Sequence, residues 1–315
     1  MDKYALVTGG AGFVGSVLSI RLISEGYHVT ICDDLSNGKQ ENIPAEAELH
    51  KLDISDTNGV NSIPEYPYEI IFHVAAQASN ALSWKDPIKD LMVNQLGTYN
   101  ILKFCKKRSI NRIIFCSSMS GYGSPAILPT PESIEMKPNT FYAVHKLASE
   151  HYLRIFAKEH NITYTIFRLY TTYGHGQNLD NINQGLLSIY LSYIVNQKPL
   201  LIKGSKNRTR DIIHVNDVVE AIILSLSNDI SFNKTYNLGS GQCLTIEKII
   251  ELLITGMGYE PGEYPVKYED STQGDPFDTL ADISSVKNEL NWCPKISPKE
   301  GIELTLESYK HQKIK

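Results

Sequence analysis

The sequence has no basic excess. Thirty Lys and Arg stand against 35 Asp and Glu, a formal charge of −5, and no long Lys/Arg run gives it a footprint for nucleic acid. Long apolar runs are missing too. None nears the roughly 20 residues a membrane span needs, and no charged-then-apolar leader precedes the first strand-like segment, Tyr4–Thr8. Cysteine is sparse: Cys32, Cys105, Cys116, Cys243 and Cys293 are five in number with no C-x-x-C pair, which points to reduced thiols rather than a disulfide framework. The nine histidines show no ligand spacing, so no metal is expected. Internal repeats and low-complexity segments are absent as well. What survives these exclusions is a soluble cytoplasmic enzyme or binding protein, with no membrane or nucleic-acid partner.

What is present is ordinary in bulk and specific in order. With 315 residues, 42% hydrophobic and 21% charged, the chain can bury one large core and a smaller second one. Short β-rich runs at Tyr4–Thr8, His28–Cys32, Glu48–Leu52, Glu69–Val74, Arg112–Ser117 and Thr163–Leu169 alternate with amphipathic stretches near Phe13–Glu25, Ile88–Lys107 and Tyr142–His160. Strand–helix–strand alternation implies right-handed crossovers and a parallel sheet covered on both faces. The expected fold is α/β: a doubly wound parallel-sheet domain over residues 1–170, then a smaller C-terminal α/β substrate-binding domain over 171–315. Segments near 210–240 are expected to return to the first domain.

Thr8-Gly-Gly-Ala-Gly-Phe-Val-Gly15 follows the first strand and opens the first helix. Gly9, Gly12 and Gly15 let the backbone turn tightly and approach a pyrophosphate, while the helix N-terminus supplies N–H donors and a positive dipole end. The strand–turn–helix setting makes this a Rossmann dinucleotide signature. Asp33, 18 residues past Gly15, is placed to accept the adenosine ribose hydroxyls and to repel a 2′-phosphate, which favours NAD over NADP. Asp53, after the third strand, falls where an adenine contact is expected.

Tyr142-Ala-Val-His-Lys146 puts a phenol and an ammonium four residues apart on one helix face. A nearby Lys charge favours phenolate and lowers the phenol pKa, which makes Tyr142 a candidate base for a sugar hydroxyl. Ser118 closes the fifth strand at the carboxyl edge, where ligands of open α/β sheets bind, and its hydroxyl could steady the reacting alcohol.

With these elements in order, the chain resembles the extended short-chain dehydrogenase/reductase family, in its nucleotide-sugar 4-epimerase and dehydratase branch. The resemblance runs through the Thr8–Gly15 loop, Asp33-Asp-Leu-Ser-Asn-Gly38, His73-Val-Ala-Ala-Gln77, Asn94-Gln-Leu-Gly-Thr98 and the Ser118, Tyr142, Lys146 triad. It continues through Arg210-Asp-Ile-Ile-His-Val215 with Asp217, Tyr236-Asn-Leu-Gly-Ser-Gly241 and Gly274-Asp-Pro276. It implies catalysis by Ser118, Tyr142 and Lys146. It also implies NAD contacts from Gly9, Gly12, Phe13, Val14, Gly15, Asp33, Asp34, Asn37, Asp53, Ile54, Ala75, Ala76, Gln77, Asn94, Tyr142 and Lys146. Substrate contacts are implied for Ser79, Ser118, Thr171 and Arg210, with Arg210 gripping the diphosphate and the 79–85 loop, Trp84 included, facing the sugar. Members pair through the helices near Ile88–Lys107 and Tyr142–His160, so a homodimer or higher homo-oligomer is expected.

Three departures refine the reading. Met119 and Ser120 stand where the dehydratases carry Asp-Glu, which removes the acid and base of water elimination. Thr171 replaces a substrate-binding Asn of many relatives, and Thr272 replaces a second diphosphate arginine. The expected function is NAD-dependent chemistry at the C4 hydroxyl of a nucleotide-diphosphate sugar through a 4-keto species, as a 4-epimerase. A 4-dehydrogenase that releases the keto sugar uses the same triad and is the alternative. A non-catalytic NAD-binding regulator would lack that triad.

Overall fold

The first strand, β1 (Lys3–Thr8), buries Ala5 and Val7 in one apolar cluster and Leu6 in another. The same alternation repeats across its neighbours, so a run of apolar residues feeds two cores, one on each face of the sheet. A computed structural model describes residues 2–312 of the chain. In order, its regular elements are β1, α1 (Phe13–Ser24), β2 (Tyr27–Asp33), β3 (Glu48–Lys51), α2 (Thr57–Asn61), β4 (Tyr68–His73), α3 (Asn80–Lys85), α4 (Pro87–Leu91), α5 (Gly97–Arg108), β5 (Arg112–Ser118), α6 (Phe141–His160) and β6 (Thr163–Leu169). There follow β7 (Thr171–Tyr173), α7 (Leu186–Val195), β8 (Leu200–Lys203), β9 (Thr209–His214), α8 (Val215–Leu224), β10 (Lys234–Leu238), β11 (Cys243–Thr245), α9 (Ile246–Gly256), β12 (Val266–Glu269), α10 (Ser284–Leu290) and α11 (Pro298–Gln312).

Seven parallel strands form the main sheet in the order β10-β6-β5-β4-β1-β2-β3. The order reverses between β1 and β4, and that switch point opens a crevice at the carboxyl ends of both strands. One core lies under α1 and α8 and takes in the fully buried Trp292. The other lies under α5 and α6. A third apolar cluster joins Tyr173, Tyr190, Leu191, Ile249, Ile302 and Leu306 around two small sheets, β11-β9-β7 and β12-β8. The sheet's outer strand β10 comes from residues 234–238 and pairs in register with β6, Tyr236 opposite Phe167.

Two expected elements differ. The stretch Ile88–Lys107 is not one helix: α4 begins at Pro87 behind the Asp86 cap, gives way to a π-helical turn at Met92–Leu96, and resumes as α5. The widened turn contains Asn94 and leaves it buried, the kind of helical irregularity that accompanies functional positions. The expected 79–85 loop is largely α3, capped by the Ser79 hydroxyl.

Candidate active site

The loop after β1 is as tight as backbone allows. A Cβ on Gly15 would fall 2.1 Å from the Gly9 carbonyl oxygen, and one on Gly9 (φ +73°) would fall 2.7 Å from the Ala75 backbone. Gly12 caps α1 without a side-chain partner, and the first turn carries no acidic residue. Its N–H groups are therefore free to meet an anion. Asp33 lies against this loop: its Oδ2 accepts from Ala11 N at 3.0 Å and its Oδ1 from Leu35 N at 2.9 Å. Burial raises its pKa, and these backbone donors pull it back.

The other residues matched to the cofactor ring this crevice. Ala75, Ala76 and Gln77 follow β4 and are half-buried, and Ile54 is buried beneath Gly97. Asp53 is exposed and accepts from Ser55 N. Asp34 is exposed and holds Ser36 through its backbone and hydroxyl. Asn37 is bound across the crevice mouth, donating to Gln184 and accepting from Asn181. Phe13 and Gly12 line a small cavity beneath that strap, with Gly176 and Asn178. Asn94 donates from Nδ2 to Gln77 O and to Asp90, while its Oδ1 is buried with no partner among the described residues. A glycine cradle, an uncapped helix N-terminus, an acid at the end of β2 and an orphaned amide oxygen together fit a dinucleotide.

Strand β5 and helix α6 bring Ser118, Tyr142 and Lys146 together. Thr140 caps α6 through Ala143 N and places Tyr142 and Lys146 in its first two turns. Burial pushes the Tyr142 phenol up to about 12, and a hydrogen bond with Ser118 pulls it part of the way back. The Ser118 oxygen also accepts from Ser120 N, closing a short turn. The buried Lys146 ammonium donates to Cys116 O at 2.7 Å and lies 4.1 Å from the Phe115 ring centre. Burial lowers it to about 8. The expected downward shift of the phenol by Lys146 is thus not seen: desolvation of the phenolate dominates, and the ammonium is turned to the strand.

Spacing in the sequence gave no hint of several buried groups that hold these residues. His145, beside Lys146, pairs through Nδ1 with Asp90, a fully buried carboxylate that also accepts from Gln77 and Asn94. His73 bridges Thr8 and Thr98 at 2.8 and 2.9 Å, and burial lowers it to about 3, so it is neutral. Glu150, one turn past Lys146, accepts from Ser117 at 2.6 Å and from Arg168 at 3.0 and 2.8 Å. The His145–Asp90, His73–Thr8 and Glu150–Ser117 pairs join residues 55, 65 and 33 apart in the chain.

The residues matched to substrate contacts lie in different places. Ser79 is buried; it caps α3 and its hydroxyl donates to Asn183 O at 2.5 Å, so that hydroxyl serves the fold here. Trp84 stands edge-on to Phe141, with ring centres 4.9 Å apart, next to Tyr142 in sequence. Thr171 is half-buried at the start of β7, opposite Ile212. Arg210 on β9 is buried and donates to Asp275, Thr209 O and Phe277 O. Met119 packs with Tyr122, Tyr170 and Ala281, an apolar setting with no acid in the dehydratase position.

The model of the NAD dependent epimerase/dehydratase family matches residues 5–239. The chain belongs to that family. It is an NAD-dependent enzyme. A UDP-glucose 4-epimerase of Mycolicibacterium smegmatis is 30% identical over 315 residues, covering 98% of each chain. Among solved structures, UDP-glucose 4-epimerase of Thermotoga maritima with UDP-glucose superposes with a TM-score of 0.92 at 33% identity, over 98% of this chain and 99% of that one. UDP-N-acetylglucosamine 4-epimerase of Methanobrevibacter ruminantium, in complex with UDP-N-acetylmuramic acid, gives 0.89 at 29% identity over 99% of both. The family match spans the phosphate loop, the triad and β9, and it ends just after β10.

Proposed function

We propose that this protein is a nucleotide-diphosphate-sugar 4-epimerase, with Ser118, Tyr142 and Lys146 as its catalytic residues. The observation that carries the reading is the bond from Lys146 Nζ on α6 to Cys116 O on β5, two residues before Ser118 at the carboxyl edge of the sheet, beside a glycine cradle that fits a dinucleotide. Asp33, Asn94 and the glycine loop would hold NAD. When bound, NAD supplies the hydride acceptor and donor at C4, and its cationic oxidised ring favours the Tyr142 phenolate.

Tyr142 takes the proton of the C4 hydroxyl and returns it after the keto sugar has turned over in the site. Ser118, its own oxygen fixed by Ser120 N, steadies the sugar oxygen between its hydroxyl and the phenol. Lys146 holds a positive charge behind Tyr142, anchored on β5. Arg210 and Thr171 meet the substrate from the second lobe, the part of the chain from residue 171 on apart from α8, β10 and residues 283–292, and remote diphosphate binding holds the sugar in place. The apolar side chains left open on α4 and α6, Ile88, Leu91, Val144 and Ile155 among them, support a homodimer. Five free cysteines support a reducing, cytoplasmic setting.

The relatives named above are described with UDP-linked sugars, so UDP-glucose, UDP-N-acetylglucosamine and UDP-N-acetylmuramic acid are the first to incubate with the purified enzyme. A new chromatographic peak of unchanged mass is the expected result. A product lighter by two hydrogens, with reduced cofactor left behind, would make the protein a 4-dehydrogenase instead.

A further inference from the structure

Two buried arginines of the second lobe share a single carboxylate. Arg208, just before β9, and Arg210, within it, are two residues apart and so lie on one side of the chain. Both side chains are only 5% exposed, and both meet the same carboxylate: Arg208 Nη1 at Asp275 Oδ2 and Arg210 Nη2 at Asp275 Oδ1. Among the described residues no other carboxylate pairs with either. Asp278, the nearest acid in sequence to Asp275, is turned instead to the Thr209 amide and hydroxyl. Two permanently charged guanidiniums against one carboxylate leave a net positive charge in a site nearly stripped of water, a costly arrangement unless an anion completes it.

The donors tell the same story. A guanidinium has five N–H groups. Arg208 makes three hydrogen bonds, to Ser205 O, Lys203 O and Asp275, and Arg210 makes three, to Thr209 O, Phe277 O and Asp275. Two donors remain on each. Gly204 (φ +81°) lets the Arg208 group lie flat on its loop, because a Cβ there would stand 3.0 Å from the guanidinium carbon. The loops that carry Lys203 and Thr272 also border an open cleft of about 750 Å³, lined by Lys203, Tyr268, Glu269, Asp270, Ser271 and Thr272. Thr272 is where many relatives carry a second diphosphate arginine. Its carbonyl accepts from Asp275 N at 3.1 Å, so it sits in the very turn whose carboxylate holds Arg208.

We propose that Arg208 supplies, from the β9 side, the second guanidinium that Thr272 lacks, so that Arg208 and Arg210 together clamp the diphosphate of the sugar nucleotide. Asp275 holds the two forks side by side, and the diphosphate's paired negative charges complete the site. The assignment rests on the nucleotide-sugar reading, but its test does not use turnover.

The test compares a nucleoside diphosphate with its nucleoside on the NAD-loaded protein. UDP, dTDP, CDP and GDP are titrated calorimetrically, and the tightest is carried forward with its own nucleoside, measured by competition. Arg208→Gln is expected to weaken the diphosphate about 10- to 100-fold and to change the nucleoside by less than about twofold. Adding Thr272→Arg to Arg208→Gln should recover most of the loss, which a merely structural role for Arg208 would not allow. Arg208→Lys keeps the charge and the stem without the fork, and is expected to fall between wild type and Gln even if the Gln variant folds poorly. Unchanged diphosphate affinity in both variants, or an equal loss of diphosphate and nucleoside, would overturn the assignment. A wild-type protein that binds none of the four diphosphates would overturn it together with the substrate class. A protein that binds them with Arg208 dependence yet epimerises nothing would keep the clamp and sink only the 4-epimerase reading.

Discussion

Lys146 Nζ donates to the carbonyl of Cys116 at 2.7 Å, two residues before Ser118 on the same strand. The ammonium is thus tied to the element that presents the serine, and burial lowers it from 10.5 to about 8. Below about pH 8 both the folded and the unfolded chain hold the proton, and the cost of burying it is present in full. Between about 8 and 10.5 the folded chain sheds a proton that the unfolded chain keeps, and stability recovers as pH rises. Lys146→Met should therefore stabilise the apoprotein by about 1–3 kcal/mol near neutral pH, lose that advantage by about pH 10, and drop turnover at least about 100-fold. Urea unfolding at two pH values checks this; an advantage independent of pH would refute the linkage.

Tyr142→Phe removes one oxygen from a buried ring and leaves the glycine cradle intact. Turnover should fall by about 10³-fold or more while NAD affinity stays within a few-fold. Initial rates and a fluorescence titration of NAD decide it. Turnover near wild type would take Tyr142 out of the mechanism.

Glu150→Gln breaks a buried carboxylate away from Arg168 and Ser117. Uncompensated guanidinium charge should cost about 3–5 kcal/mol in denaturant unfolding. Burial pushes Glu150 up, but Arg168, Ser117 and Arg154 more than offset it and leave the pKa below its ordinary 4.5. Its stabilisation is thus complete above the unfolded value and is lost as pH falls through the folded one. Wild type should lose this share of its stability in acid, and the Gln variant should not.

Gly15→Ala places a Cβ 2.1 Å from the Gly9 oxygen, so the phosphate loop has to open. NAD affinity should fall about 100-fold or more, well beyond the ~1 kcal/mol scale of helix propensity alone. Titration of NAD into both proteins gives the ratio, and a change under threefold would show that the loop can flex at no cost.

Val144 and Ile155 are 44% and 58% exposed on α6. If α6 meets its symmetry mate there, Val144→Glu and Ile155→Glu together should turn a dimer into a monomer at micromolar concentration. Light scattering after size exclusion reads the mass. A wild-type monomer, or a double variant still dimeric, would reject this surface.

The phosphate loop was legible in the sequence because its information is local: strand period, three glycines and a helix start stand within a dozen residues. Tyr142 and Lys146 were legible for the same reason, one helical turn apart. Asp90 was not: Asn94 lies one helical turn away, but Gln77 and His145 come from separate segments, and no spacing connects those to it. The π-helical turn was also hidden, because Met92–Leu96 has the same apolar period as a regular helix and only packing shows the extra residue. The direction of the Tyr142 shift was misjudged from charge alone; burial depth, which the sequence does not state, outweighed it.

The outer strand β10 has a consequence for how the polypeptide is made. When β6 leaves the ribosome, the strand that will cover its far edge has not been synthesised, and the 64 residues from Tyr170 to Asn233 must come before it. Until then the nascent sheet offers a bare row of amides and carbonyls beside Phe167, a template for any passing strand. The order of translation, not the boundary between lobes, thus sets when the cofactor-binding half can close.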